Sequence, residues 1–215
     1  MSIKAIIFDL DGVITDTAEF HYQSWQRMAD EEGLDFSREK NEQLRGVSRR
    51  RSLEIILDGQ ELPEEEMQRL MDKKNGYYQE KLKQMTTEDM LPGAEELILE
   101  VKNRNLKTAV ASASRNARTV ISALEIGDLF DTISDGHSVE NPKPAPDLFL
   151  HTAEKLNVEP EECAVLEDAE AGIDAALAAD MFAVGIGPAE RVGHGDLVFA
   201  STADVKLDVI LEEAD

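Results

Sequence analysis

From Pro92 onward the chain alternates short apolar runs with segments of helical spacing, and that alternation limits its fold more than any other feature. Helical patterns at 94–103, 116–124, 146–156 and 171–179 lead in turn to apolar runs at 108–111, 132–133, 163–166 and 182–186, with a final run at 197–200. Strands alternating with helices predict βαβ units, and hence a parallel sheet covered by helices on both faces. The run Ile3 to Phe8 is short and apolar and reads as one more buried strand. Between about 16 and 88 no convincing strand is found. Helices are predicted there over 19–32, closed by Gly33, and over 37–44, 49–57 and 63–85, the last with Pro63 at its start and acids in its first turn. Leu91-Pro92-Gly93 breaks the pattern. The expected class is α/β: a doubly wound parallel-sheet core made of 1–15 and 89–215, with an all-helical segment, 16–88, inserted after the first strand. A length of 215 residues suits one large domain or one domain with an insertion.

In an open sheet of this kind, ligands bind past the carboxyl ends of the strands. The first strand ends in Asp9-Leu10-Asp11-Gly12. Two acids one residue apart can divide the work, one as nucleophile or metal ligand, the other as proton donor and acceptor. An Asp-Gly turn closing a hairpin is the alternative. After Val110-Ala111 comes Ser112-Ala113-Ser114-Arg115-Asn116. A hydroxyl and free backbone N–H groups at a helix start suit a phosphate, and an ordinary N-cap has the same composition. The stretch Asn141-Pro142-Lys143-Pro144-Ala145-Pro146-Asp147 sets one lysine among prolines. It reads as a rigidly held cation for a phosphate or a buried carboxylate, or as a solvated loop lysine. Glu167-Asp168 follows Val165-Leu166. With Asp9 and Asp11 it would make an oxygen-rich pocket for a hard cation such as Mg²⁺. An N-capping Asp beside a surface Glu is the plainer reading.

Charge narrows the partners. The chain has 22 basic against 45 acidic residues, a net charge of -23, and nucleic acid and anionic membranes are poor partners for such a surface. If the ligand is anionic, the few cations must gather where it binds. The densest cationic run is Leu44-Arg45-Gly46-Val47-Ser48-Arg49-Arg50-Arg51-Ser52, either a phosphate grip or a solvated helix face. No apolar run is long enough to span a bilayer. The first strand starts without a secretory leader, and the single Cys163 allows no internal disulfide, so a cytoplasmic protein is expected. Gly185-Ile186-Gly187 lacks the third glycine of a dinucleotide site, and the four histidines show no zinc spacing. Phe20 and Trp25 read as the buried face of the first inserted helix.

The motifs gain specificity from their order: Asp-x-Asp, a serine, a lysine flanked by prolines, then Glu-Asp, each after a strand of one sheet. In that order they resemble the haloacid dehalogenase superfamily, over essentially the whole chain. The resemblance implies a Rossmann-like core with an all-helical cap after the first strand. It implies that Asp9 is the phosphorylated nucleophile and Asp11 the general acid/base. Ser112 and Lys143 would hold the phosphoryl group. Asp9, the backbone carbonyl of Asp11, Glu167 and Asp168 would gather Mg²⁺.

Within that superfamily, Asp9 to Glu19, His21, the arginine-rich run, Ser112-Ala113-Ser114 with Asn116, Lys143 to Asp147 and Leu166-Glu167-Asp168 are similar to the phosphosugar mutases. This likeness implies that Arg49, helped by Ser114 and Asn116, binds a second, non-transferring phosphate. His21 and Lys74 would line the sugar site, although alone each reads as a surface position. Thr17 would lie near the hinge, and Arg45, Gly46, Ser52 and Ala113 would complete the substrate site. The implied activity interconverts β-D-glucose 1-phosphate and glucose 6-phosphate through a phospho-aspartate and glucose 1,6-bisphosphate, in a monomer. A Mg²⁺-dependent sugar-phosphate or phosphoglycolate phosphatase on the same core is the alternative, and a non-catalytic binding protein is a third. Three departures bear on sugar specificity more than on chemistry: Arg45 replaces a lysine, Ala169 stands where a serine is common, and Pro142 precedes Lys143.

Overall fold

A computed structural model describes residues 2–214. Six strands form one parallel sheet: β1 (Ala5–Phe8), β2 (Lys107–Ala111), β3 (Thr132–Ser134), β4 (Cys163–Glu167), β5 (Phe182–Ile186) and β6 (Leu197–Phe199). Their order is β3-β2-β1-β4-β5-β6, so β1 lies in the interior between β2 and β4. Phe8 is in register with Val110 on one side and Leu166 on the other, which brings the residues just past all three strands to one edge. The direction of strand order reverses between β1 and β4, where open α/β sheets bind ligands.

The helices are α1 (Ala18–Glu32), α2 (Arg38–Glu42), α3 (Arg49–Leu57), α4 (Glu64–Leu82), α5 (Ala94–Asn103), α6 (Ala117–Ala123), α7 (Asp147–Leu156), α8 (Glu170–Ala178), α9 (Ala189–Val192) and α10 (Leu207–Glu213). Successive β1 side chains point to opposite faces, as a strand requires. Ile6 and Phe8 join a cluster with α5, α6 and α10, whereas Ala5 and Ile7 join one with α7 and α8. The sheet is therefore covered on both sides. A third cluster, around Trp25, Met28, Leu53, Ile56 and Leu70, belongs to α1, α3 and α4. Helix α4 serves two clusters. Its first half packs Met67, Leu70 and Met71 into the third, and its second half sends Tyr78 and Leu82 into the first.

The chain leaves and rejoins the sheet region at one point. Thr15 forms an antiparallel bridge with Met90, Leu91 N–H donates to the Ile14 carbonyl at 2.8 Å, and the Thr15 hydroxyl donates to the Asp89 carbonyl at 2.6 Å. Most predicted elements are found, with differences at the ends. Ser37 caps α2 by accepting from Lys40 N–H, and α2 stops at Glu42, because the following residues turn through Gly46 at φ 69°. Helix α4 ends three residues earlier than expected. Helices α9 and α10 are additions to the predicted set. Among the described residues no helix is long and apolar enough to cross a membrane.

Leu53 is fully buried in the third cluster, beside the only tryptophan. Leu53→Ala is expected to destabilise this cluster by about 3 kcal/mol through lost contacts and a residual cavity. The measurement is Trp25 fluorescence in urea, and an unshifted transition would show the cluster to be loosely packed.

Candidate active site

Asp9 follows β1 and is held in place by its own N–H, which donates to the Leu166 carbonyl at 2.9 Å. The Lys143 ammonium donates to Asp9 Oδ1 at 2.6 Å, to Glu167 Oε2 at 2.7 Å and to the Ala111 carbonyl at 3.1 Å. Its side chain is 0 % exposed. The solvated-lysine reading thus fails, and the buried-carboxylate reading holds. Burial alone would depress the lysine, but Asp9 and Glu167 outweigh it and hold Lys143 protonated, above its ordinary range. Glu167 Oε1 accepts from the N–H groups of Asp168 and Ala169, both at 3.1 Å. Burial and the Asp9 charge push Glu167 upward, and Lys143 opposes them. A side chain on Gly172 would overlap the Glu167 carboxylate, which explains glycine there.

Asp9, Glu167 and Asp168 each offer an oxygen within 4.8 Å of the others, and all three are buried. Asp168 is pushed up to about 7, first by burial and then by Asp9. Its Oδ2 faces Arg45 at 3.3 Å and Arg191 at 3.5 Å, and Arg191 Nε donates to the Asp168 carbonyl at 2.5 Å. Crowded carboxylates, with Glu167 and Asp168 raised in this way and all three oxygen donors, fit a hard divalent cation, which would relieve their mutual repulsion. The Asp11 carboxylate is not in this group. It accepts from the Thr17 hydroxyl, which in turn accepts from Tyr78 OH at 3.2 Å. Asp11 N–H donates to Asp9 Oδ2 at 2.9 Å. Burial, then the Asp9 charge, raise Asp11 to about 7, with Thr17 acting against them. Such a group can both take and return a proton near neutrality.

A cavity of about 430 Å³ lies above these residues, between the β-strand ends and the inserted helices. Asp9, Asp11, Ser112, Ala113, Ser114 and Asp168 line it from the core. His21, Arg45, Gly46, Arg49, Ser52 and Lys74 line it from the insertion. Thr17, Asn116, Lys143 and Glu167 stand behind the wall, where Thr17 and Lys143 bond to Asp11 and Asp9. Ser112 Oγ accepts from Ser114 N–H at 3.1 Å, and Ser114 Oγ from Asn116 N–H at 3.2 Å, so the loop folds on its own hydroxyls. The Ser52 hydroxyl is committed to the Ser48 carbonyl at 3.1 Å. Gly46 passes so close to Ala169 that a side chain would sit 2.6 Å from its Cβ.

Lys74 and His21 are not surface positions. Lys74 is 2 % exposed, its Nζ lies 2.7 Å from His21 Nδ1, and the rings of Trp25 and Tyr78 flank it at 5.0 and 4.7 Å. Burial lowers both groups well below their ordinary values, so His21 is neutral at pH 7. The motifs do not single out Asn75, Tyr78, Arg115 or Arg191. Arg115 had a signal, its place inside the Ser112–Asn116 loop. Among the described residues, Arg49 and Arg115 have no carboxylate within salt-bridge distance, whereas every other arginine has one. Both line the cavity. In so acidic a chain, two unmatched guanidinium groups at one cavity mark an anion site.

A family model for haloacid dehalogenase-like hydrolases matches residues 3–180. The chain is 46% identical over 215 residues to a β-phosphoglucomutase of Bacillus subtilis (strain 168), covering 98% of this chain and 95% of that protein. A crystal structure of a β-phosphoglucomutase from Clostridium difficile superposes with a TM-score of 0.94 at 44% identity, covering 99% of this chain and 97% of that one. A phosphorylated carbohydrates phosphatase of Thermotoga maritima is 31% identical, over 82% of each.

The Thr17 hydroxyl holds Asp11 down, so its loss moves Asp11 further up. Thr17→Val is expected to shift the acid limb of the kcat/KM profile about one unit to higher pH, because the proton-accepting form of Asp11 then needs a higher pH to exist. An unmoved limb would assign that ionisation to another group.

Proposed function

The chain belongs to the haloacid dehalogenase-like hydrolase family, as a phosphosugar mutase, and from that premise we propose that it interconverts β-D-glucose 1-phosphate and glucose 6-phosphate. The observation that carries this reading is the pair of unmatched arginines. Lys143 beside Asp9 supplies one anion grip, and Arg49 with Arg115 supplies a second at the same cavity. A phosphatase needs only the first. A sugar bisphosphate has a phosphate at each end and needs both.

The sequence of events follows from the groups present. Phospho-Asp9 stands ready, its phosphoryl oxygens held by Ser112 and Lys143. The 6-hydroxyl of β-glucose 1-phosphate attacks phosphorus, the bond to the Asp9 oxygen breaks, and Asp11 takes the hydroxyl proton. Arg49, Ser114 and Asn116 hold the phosphate that does not react. Glucose 1,6-bisphosphate then turns over in the site. The Asp9 carboxylate attacks the 1-phosphoryl group, and Asp11 returns its proton to the departing O1. Glucose 6-phosphate leaves and phospho-Asp9 is restored. Mg²⁺, held by Asp9, Glu167, Asp168 and the Asp11 carbonyl, would neutralise charge on the phosphoryl oxygens. Residues 16–88 act as the cap that excludes water, and 1–15 with 89–215 as the catalytic core. His21, Lys74, Arg45, Gly46, Ser52, Ala113 and Thr17 shape the closed sugar site. We place the enzyme in the cytoplasm, as a monomer.

Purified protein given β-glucose 1-phosphate, Mg²⁺ and a trace of glucose 1,6-bisphosphate is expected to yield glucose 6-phosphate. Free phosphate without glucose 6-phosphate would make it a phosphatase. Arg49→Ala is expected to weaken bisphosphate binding about 30-fold or more, by removing a charge-assisted contact, and to spare Asp9 phosphorylation by a small phosphodonor. An equal loss of both would remove Arg49 from the distal grip.

A further inference from the structure

Arg49 is held by a neutral group. On α4, one residue past Lys74, the Asn75 carboxamide oxygen accepts from Arg49 Nη2 at 2.8 Å and from Asn116 Nδ2 at 2.9 Å. One turn further along α4, Gln79 Nε2 donates to Asn116 Oδ1 at 3.5 Å. Arg49 belongs to α3 and Asn116 precedes α6, so the Asn75 oxygen ties an inserted helix, another inserted helix and the sheet-bearing core at one point. Both donor side chains are among those assigned above to the non-transferring phosphate. The N–H groups that now point at the Asn75 oxygen are not free for a phosphate oxygen until they turn from it, although each side chain has further N–H groups to offer.

We propose that Asn75 is a positioning residue that latches the cap to the core when no phosphate occupies the distal grip, and so shields phospho-Asp9 from water between turnovers. The purpose rests on the mutase reading above. The choice of residue type fits. An aspartate here would pair permanently with Arg49, and an incoming phosphate would have to break that pair. An asparagine aims Arg49 without neutralising it. A phosphate dianion brings Arg49 the full negative charge that the amide lacks, and displaces the amide. When the sugar phosphate leaves, the amide oxygen returns and the seam closes. Other contacts cross the same seam, among them Arg45 to Asp168 and Gly46 against Ala169, and these two do not involve the phosphate donors. The reaction held back is hydrolysis. Water oxygen bonds to phosphorus, the bond to Asp9 breaks, Asp9 leaves as a carboxylate, and the phosphate is released as the dihydrogen anion, carrying both protons of the water.

The test uses full-length protein phosphorylated on Asp9 with acetyl phosphate and freed of donor, without sugar, and follows phosphoenzyme by intact mass. Asn75→Ala is expected to shorten its half-life about tenfold, the scale of one hydrogen bond to a charged group. Asn75→Asp keeps the shape and the acceptor, adds an ion pair to Arg49, and is expected to lengthen it about threefold or more while raising KM for the bisphosphate. Any other pattern, such as an unchanged half-life in Asn75→Ala or a shortened one in both variants, overturns the proposal. The half-life is read without sugar, so its outcome is separate from whether the wild-type protein converts β-glucose 1-phosphate.

Discussion

One ammonium group between two carboxylates sets the terms for the core. Lys143 is fully enclosed, and its partners come from three neighbouring strand ends: Asp9 after β1, the Ala111 carbonyl of β2 and Glu167 of β4. A buried charge is tolerated only with its partners correctly placed, and removing one leaves the rest uncompensated. The parallel register meets that demand by delivering all three partners to one edge. Pro142 and Pro144 on either side of Lys143 restrict how its loop can move. The remaining acid, Asp168, is held by two arginines, Arg45 from the inserted segment and Arg191 from α9. The site is thus rich in negative charge before any substrate arrives, which suits a cation and demands positive groups for an anionic sugar.

Those groups are scarce, and their disposition is informative. Across the surface, arginines are matched to acids: Arg38 to Glu19, Arg50 to Glu64, Arg69 to Glu32 and Glu66. Such exposed pairs contribute little to stability. Their effect here is to leave Arg49 and Arg115 standing out at the cavity. The arginine-rich run was a weak signal as a run, since Arg50 and Arg51 pair with acids on the outside. Only Arg49 within it turns inward without one.

The residues proposed as catalytic were legible because their signals are local. An acid pair or a proline-framed lysine just past an apolar run needs only the sheet direction to be placed. Lys74 was harder. Whether a helical lysine is exposed depends on what covers it, and Trp25, Tyr78 and His21 come from elsewhere in the chain or one turn away. Asn75 gave no signal, because a neutral amide in a polar helix looks like any surface position until Arg49 and Asn116 meet it. Arg191 escaped because α9 spans only Ala189–Val192, too short for a periodic pattern. Helix α10 lay beyond the last predicted strand, with only two of its residues buried. The fold was clearest where periodicity was long, and the site where side chains meet their own strand ends.

The bridge from Thr15 to Met90 has a consequence for how such a chain can change. Because the inserted segment starts and finishes at adjacent, mutually bonded residues, the sheet needs nothing from it to close. In evolutionary terms it is nearly portable: one could be exchanged for another while the apparatus around Asp9 stays intact. What ties it to its host is narrow, chiefly the second half of α4, where Tyr78 and Leu82 enter the core cluster and Tyr78 reaches Thr17 beside Asp11. Substrate preference is therefore free to drift over most of the inserted helices, with one face of one helix answerable to the chemistry beneath.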